Sequence, residues 1–256
     1  LPDREKFYVF SDDGSSDGTF AQVARYSRTV LLHQQNAGPA SARNLGAYKA
    51  GGELLFFTDA DCCPEPEWIE KMLEGFSSDD IGVVAGSYGI ANPQSMLARV
   101  IHAEIMFRHR RLMPDTPKAF GSYNFAIRKN LFSRVGGFNV SYRNASGEAN
   151  DLSYNVLRVG KKIRFIREAR VAHYHQESLG KYLKEQFRHG FWRARMYADH
   201  PGMLRGDDYT FWKDIVEVPF SGFFILLLLW PQVWLIFFLG FLVFELGFGL
   251  VFTRSW

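Results

Sequence analysis

The chain has 256 residues, 47% hydrophobic and 22% charged, with 30 Lys and Arg against 27 Asp and Glu. This balance excludes whole-chain disorder, and a formal net charge of +3 is too small to argue for nucleic acid as a partner. The two cysteines, Cys62 and Cys63, are neighbours, so they cannot staple distant segments or match zinc-ligand spacing, and a reducing, cytosolic setting is expected for the body.

Lys6–Phe10 predicts a strand that runs into the polar turn Ser11–Thr19, with a helix from about Thr19 to Arg28. Val30–Leu32 predicts a second strand, Gly38-Pro39 a turn, and the Ala-rich Ala40–Ala50 a helix. Leu54–Phe57 predicts a third strand ending on Thr58-Asp59-Ala60-Asp61. A helix over Pro66–Phe76, with Pro near its first turn, and a strand over Val83–Tyr88 follow. Strands alternating with helices predict an α/β fold with a mostly parallel sheet covered on both faces. Polar clusters recur just after the strands, the edge where ligands bind in such sheets.

Gly180–Ala198 reads as a basic amphipathic helix. Leu183, Phe187, Phe191 and Ala194 share one face, and Lys181, Lys184, Arg188, Arg193 and Arg195 crowd the rest. That pattern suits either a membrane interface or docking on the domain's own core. From Ile215 to Phe252 there is no Lys or Arg, and the only acids are Glu217 and Glu245. As one helix this tail would run about 57 Å, against a hydrocarbon core of about 30 Å. Pro231 breaks it, predicting a helical hairpin with legs over Val216–Trp230 and Gln232–Phe252. Lys213 and Arg254 then fall on one side, which places the body in the cytoplasm of a multi-pass membrane protein. The expected division is a catalytic body over 1–178, an interfacial helix and linker over 179–214, and a transmembrane hairpin over 215–256.

Asp59 and Asp61, one residue apart at a strand end, form a pair able to hold Mg²⁺ or Mn²⁺ together with substrate phosphates. Alone the triplet is weak, but a second acidic turn, Asp12-Asp13, follows another strand.

Five ordered motifs sharpen this. They are Ser11–Thr19, Asn36–Gly46, Thr58–Asp61, Gly121-Ser122-Tyr123-Asn124 with Val135-Gly136-Gly137-Phe138, and Gly147–Leu152. Together they resemble glycosyltransferase family two over roughly residues 5–200. The resemblance implies a GT-A fold, Rossmann-like, and inverting sugar transfer from a nucleotide-sugar. It implies that Asp13 meets the base and Arg43 helps hold the nucleotide. It also implies that Asp59 and Asp61 meet the ribose and the metal, and that His173, or His175 two residues on, completes the metal set. Asp12 and Asp17 are expected only to cap turns. Family members also begin with an earlier strand and helix, which this sequence does not show.

Two departures stand out. Where processive, cellulose-synthase-like members carry Gln-x-x-Arg-Trp, this chain reads Gln186-Phe187-Arg188-His189-Gly190. Trp192 remains as a sugar-stacking candidate, and Arg188 or Arg193 as contacts for diphosphate or lipid headgroups. Where the family has a Glu-Asp pair whose Asp is the general base, this chain has Glu148-Ala149. A methyl group cannot accept a proton. Either Ala149 is a substitution that disables the site, or the chain is a non-catalytic relative, or Glu148 has taken over. Asp151, two residues on, is a further acceptor-side candidate. The sequence therefore predicts a metal-dependent transferase using GDP-mannose or a UDP-hexose on a membrane-embedded, polyprenol-linked acceptor. The alternatives are a processive polysaccharide synthase and a nucleotide-sugar-binding membrane scaffold.

Overall fold

A computed structural model of the chain describes residues 8–143, 147–200 and 231–254, with side chains of the last segment described for 234–246. Among the described residues, seven strands build two sheets. Strands β1 (Tyr8–Asp12) and β2 (Thr29–His33) pair in parallel. The second sheet has the order β3-β6-β5-β7-β4, with β3 Leu54–Thr58, β4 Cys62–Pro64, β5 Ile81–Ile90, β6 Asn124–Arg128 and β7 Lys162–His173. Helices α1 (Thr19–Val23), α2 (Pro39–Lys49), α3 (Trp68–Glu74), α4 (Met96–Arg111), α5 (Lys129–Arg134) and α6 (Glu148–Arg158) are interspersed. Helix α7 (Leu179–Asp199) and α8 (Pro231–Arg254) follow.

The alternation of strand and helix is as expected, but the large sheet is mixed. Only β5–β7 is parallel within it; β3–β6, β5–β6 and β4–β7 are antiparallel. A continuous apolar strand reports that both faces are covered, and an antiparallel strand covered on both faces reads the same way. Strand β5 shows this. Val83 and Ala85 enter one apolar cluster with Phe125, Ile127, Leu152 and Phe165. Val84, pointing the other way, joins Trp68, Met72, Ala126 and Val171. Helix α1 stops at Val23, short of the expected Arg28, because it buries no residue that would hold a longer helix down.

Sheet β5–β7 has an irregularity that bears on the site. Between Gly86 and Ser87 the register slips, and β7 bulges over residues 167–169. A side chain at Gly86 would lie 2.1 Å from the Ala169 carbonyl, so only Gly admits the approach. Asn124 fills the gap: its amide donates to the carbonyls of Ser87 and Ala169 and accepts from the Trp68 indole at 2.7 Å. The Asn of the Gly-Ser-Tyr-Asn motif is thus a buried plug.

Helix α7 is not a separate unit. Trp192 and Met196 pack with Ala119, Tyr142 and Tyr154 in a third apolar cluster. Leu179, Leu183, Phe187 and Phe191 on the same helix are exposed. Of the expected hairpin, the first leg lies outside the described residues and the second is α8. The side chains described on α8 cover residues 234–246, about 20 Å of helix, and among the described residues no helix is long and apolar enough to cross a membrane.

Candidate active site

The site gathers at the ends of β1 and β3 and the start of α6. Asp12 is buried; its carboxylate pairs with the His33 ring at 2.7 Å and accepts from the Ser15 amide. Asp17 accepts from the amide and hydroxyl of Thr19. Both are turn-holding groups, as expected. Asp13 is busier than the sequence suggests. Its Oδ1 accepts from Gln34 at 2.6 Å and the Ala37 amide at 2.9 Å, and Oδ2 from the Gly38 amide at 2.9 Å. The Asp13 carboxylate therefore fastens residues 34–38 to the end of β1, and its Oδ2 retains a lone pair for a ligand.

Helix α2 presents Arg43 and Asn44. Asn44 makes a two-way bond with Phe138, donating to its carbonyl at 2.8 Å and accepting from its amide at 2.9 Å. This clamps the Gly136-Gly137-Phe138 loop to α2. The Phe138 ring lies 5.5 Å below the Arg43 guanidinium. Arg43 bridges two acids that are distant in sequence: Nη2 reaches Asp59 at 2.6 Å and Nη1 reaches Glu148 at 3.0 Å. Burial alone would lower the Arg43 pKa, but the two carboxylates outweigh it and raise it.

Glu148 is 2% exposed. Its carboxylate reaches the site, where Ser122 also donates to its Oε1 at 3.3 Å. Two features permit a buried carboxylate here. It sits in the first turn of α6, where the helix dipole favours negative charge, and Arg43 neutralises it. Gly147 starts the helix at φ 94°, and a Cβ there would crowd the Tyr142 ring at 3.0 Å. Ala149 is buried beside Glu148, and its carbonyl accepts from Ser153.

The metal candidates separate. Asp59 is engaged by Arg43 and is absent from the group that converges on one point, which is Asp61, Cys62 and His173. Cys62 and His173 are direct cross-strand partners in β4–β7, and Tyr174 donates its amide to the Asp61 carbonyl at 2.9 Å. Asp61 Oδ2 lies 3.4 Å from His173 Nε2. The hydrogen bond from His173 lowers the Asp61 pKa. Burial, with Asp61 and Asp59 nearby, pushes the Cys62 thiol up, so it stays protonated. An exposed carboxylate oxygen and an imidazole nitrogen, open on one side, fit a hard dication that keeps sites for phosphate oxygens. Cys62 escaped the sequence reading because its partners come from strand pairing, not from spacing.

His175 is not a ligand in this arrangement. It is buried behind His173, with its backbone held both ways by Asn92. Burial, aided by His173 and His102, lowers its pKa to about 4. Two acceptor-side candidates also fall away. Asp151 is buried and bound by His200 at 2.8 Å and Asn155 at 3.2 Å. Trp192 is buried in the third apolar cluster beside Tyr142, with the Arg195 guanidinium over its ring at 5.7 Å. Arg188 is exposed on α7 and Arg193 is half-buried.

The model of glycosyl transferase family 2 matches residues 3–136. The chain belongs to that family. The family 2 chain is 28% identical over 179 residues to the pre-mycofactocin glycosyltransferase of Mycobacterium tuberculosis, covering 67% of this chain and 37% of that protein. It is 24% identical over 185 residues to glycosyltransferase AglE of Haloferax volcanii, covering 70% and 60%. It thus spans only part of the length of these relatives. Among solved structures, the mannosyltransferase PcManGT of Pyrobaculum calidifontis, in complex with GDP-Man and Mn²⁺, superposes with a TM-score of 0.51 at 18% identity, covering 68% of this chain and 49% of that one. GalNAc-T7 with UDP, GalNAc and Mn²⁺ gives 0.51 and 18%, covering 66% and 38%. The fold of the family 2 chain is GT-A.

Proposed function

We propose that this chain is the catalytic part of a metal-dependent inverting glycosyltransferase that takes a hexose from a nucleotide-sugar. The observation that carries the reading is the Asp61–His173 pair, 3.4 Å apart, next to the bridged Arg43. Asp61 and His173 would hold Mn²⁺ or Mg²⁺, which when bound supplies positive charge against the departing diphosphate. Asp13 Oδ2 offers an acceptor to the base, and Arg43 sets Asp59 beside the ribose. GDP-mannose and UDP-hexoses are the donors named by this reading. The two Mn²⁺-containing neighbours, with GDP-Man and with UDP, support that choice by likeness of fold.

Ala149 leaves the family's base position without a proton acceptor, so this chain binds donor but transfers slowly. The acceptor is proposed to be polyprenol-linked and membrane-embedded, with the body on the cytoplasmic side. The exposed Leu183, Phe187 and Phe191 on α7, flanked by Lys181, Lys184 and Arg188, support this, as does the apolar α8.

Calorimetry on chelator-treated protein tests the core of the proposal. Uptake of GDP-mannose or a UDP-hexose is expected only after Mn²⁺ is added back. Undiminished uptake without metal, or no uptake of any donor with it, overturns the reading.

A further inference from the structure

Behind the metal corner the imidazoles form a line. His173 Nδ1 lies 3.1 Å from His175 Nδ1, and His175 Nε2 lies 3.4 Å from His102 Nδ1 on α4. The rings are held. Tyr88 packs edge-on to both His173 and His175, and Asn92 fixes the His175 backbone from both sides. The far end of the line, His173 Nε2, faces Asp61 at 3.4 Å.

A neutral imidazole has one N–H and one lone pair, so each contact dictates the next. Without an ion, the Asp61 carboxylate only accepts, so His173 must carry its proton on Nε2. Its Nδ1 then accepts from His175 Nδ1–H, and His175 Nε2 accepts from His102 Nδ1–H. With a dication on His173 Nε2, that nitrogen must present its lone pair. The proton moves to His173 Nδ1, His175 must accept there and carry its proton on Nε2, and His102 Nδ1 must accept.

We propose that His175 and His102 are positioning residues, and that ion binding at Asp61–His173 reverses the tautomers of all three histidines together. The protons balance. His173 Nε2 releases one to solvent; His173 Nδ1 gains one from His175 Nδ1; His175 Nε2 gains one from His102 Nδ1; His102 Nε2 gains one from solvent. The three rings hold three protons in both arrangements. The ion's affinity therefore depends on a residue, His102, that never touches it.

This inference rests on the metal reading of Asp61 and His173, and the two can fail separately. The probe is the whole chain with ¹⁵N-labelled histidine at pH 8, where long-range ¹H–¹⁵N correlations read each tautomer. Spectra are taken metal-free and with saturating Zn²⁺, a diamagnetic stand-in. The expected result is a switch of His175 and His102 from Nδ1–H to Nε2–H on adding Zn²⁺. Retained tautomers in a chain that binds the ion overturn the inference alone; failure to bind Zn²⁺ or Mn²⁺ overturns it together with the metal reading. A second measurement is Mn²⁺ affinity by electron paramagnetic resonance. His102→Phe is expected to weaken it about tenfold, the lower end for second-layer partners, and His102→Asn, which keeps a group able to accept at the Nδ1 position, to restore it. Equal affinity in all three proteins would also overturn the inference.

Discussion

One guanidinium does much of the organising. Arg43 joins the end of β3 to the start of α6 through Asp59 and Glu148, groups separated by 89 positions in the sequence. Both acids are consequently committed to that guanidinium, and Glu148, donated to by Ser122 as well, is poorly placed to act as a mobile proton acceptor. The empty role falls at Ala149, the second residue of α6, where the helix dipole would welcome a carboxylate. Ala149→Asp is expected to raise transfer about 10²-fold or more, the usual scale of a positioned base, in a radiolabelled-donor assay. No gain, together with loss of the residual rate in Glu148→Gln, would transfer the role to Glu148. At this scale motifs named Asp61, His173 and Arg43, and the structure sets Asp61 and His173 3.4 Å apart and joins Arg43 to Asp59 and Glu148. The sequence was not legible where engagement decides. Asp13, Asp59, Asp151 and Trp192 are the expected residue types, and each is occupied by partners brought in from elsewhere in the chain.

Helix α4 and strands β5 and β7 show how packing sets charge. His109, on α4, is 2% exposed, lying parallel to Tyr88 and edge-on to Phe165, with Arg167 of β7 and His102 of its own helix as the charged or titratable neighbours. Burial, followed by those two groups, lowers its pKa to about 4. The folded state therefore resists a proton that the unfolded chain accepts near pH 6.5. Between those values the unfolded state binds more protons, so stability is complete above pH 6.5 and falls as the pH drops towards 4. The contribution is at most about 3 kcal/mol. His109→Phe, which keeps the ring, should flatten the pH dependence of the urea midpoint between pH 7 and 4.5 by up to about one proton. The same slope in variant and parent would contradict this. His102, His175 and His189 shift in the same direction, so the comparison must be with the parent. Element positions were readable from apolar runs: β2, β3, β5 and α2 lie within a few residues of expectation. Strand direction was not, because burial on both faces erases the signal.

For the whole molecule, the notable surface is the exposed apolar row on α7. Its opposite side is anchored by Trp192 and Met196, so the row is presented by a fixed element. Residue type does not tell which apolar residues dock: Phe191 and Trp192 are adjacent, about 100° apart around the helix, yet Phe191 is exposed and Trp192 buried. If α7 rests on a bilayer, amide exchange over residues 183–191 should slow about tenfold when the chain moves from detergent into anionic nanodiscs. Phe187→Ser with Phe191→Ser should abolish that slowing. Unchanged exchange on reconstitution would argue against the membrane reading.

The three-residue strand β4 has a consequence beyond its size. It sets Cys62 opposite His173 by ladder pairing alone, and adjacent positions on a strand face opposite ways. One inserted or deleted residue between Asp61 and Pro64 would turn the thiol outward and carry the carboxylate off its mark, with every side chain still chemically intact. A homologue shifted by one rung there would lose the proposed cation seat.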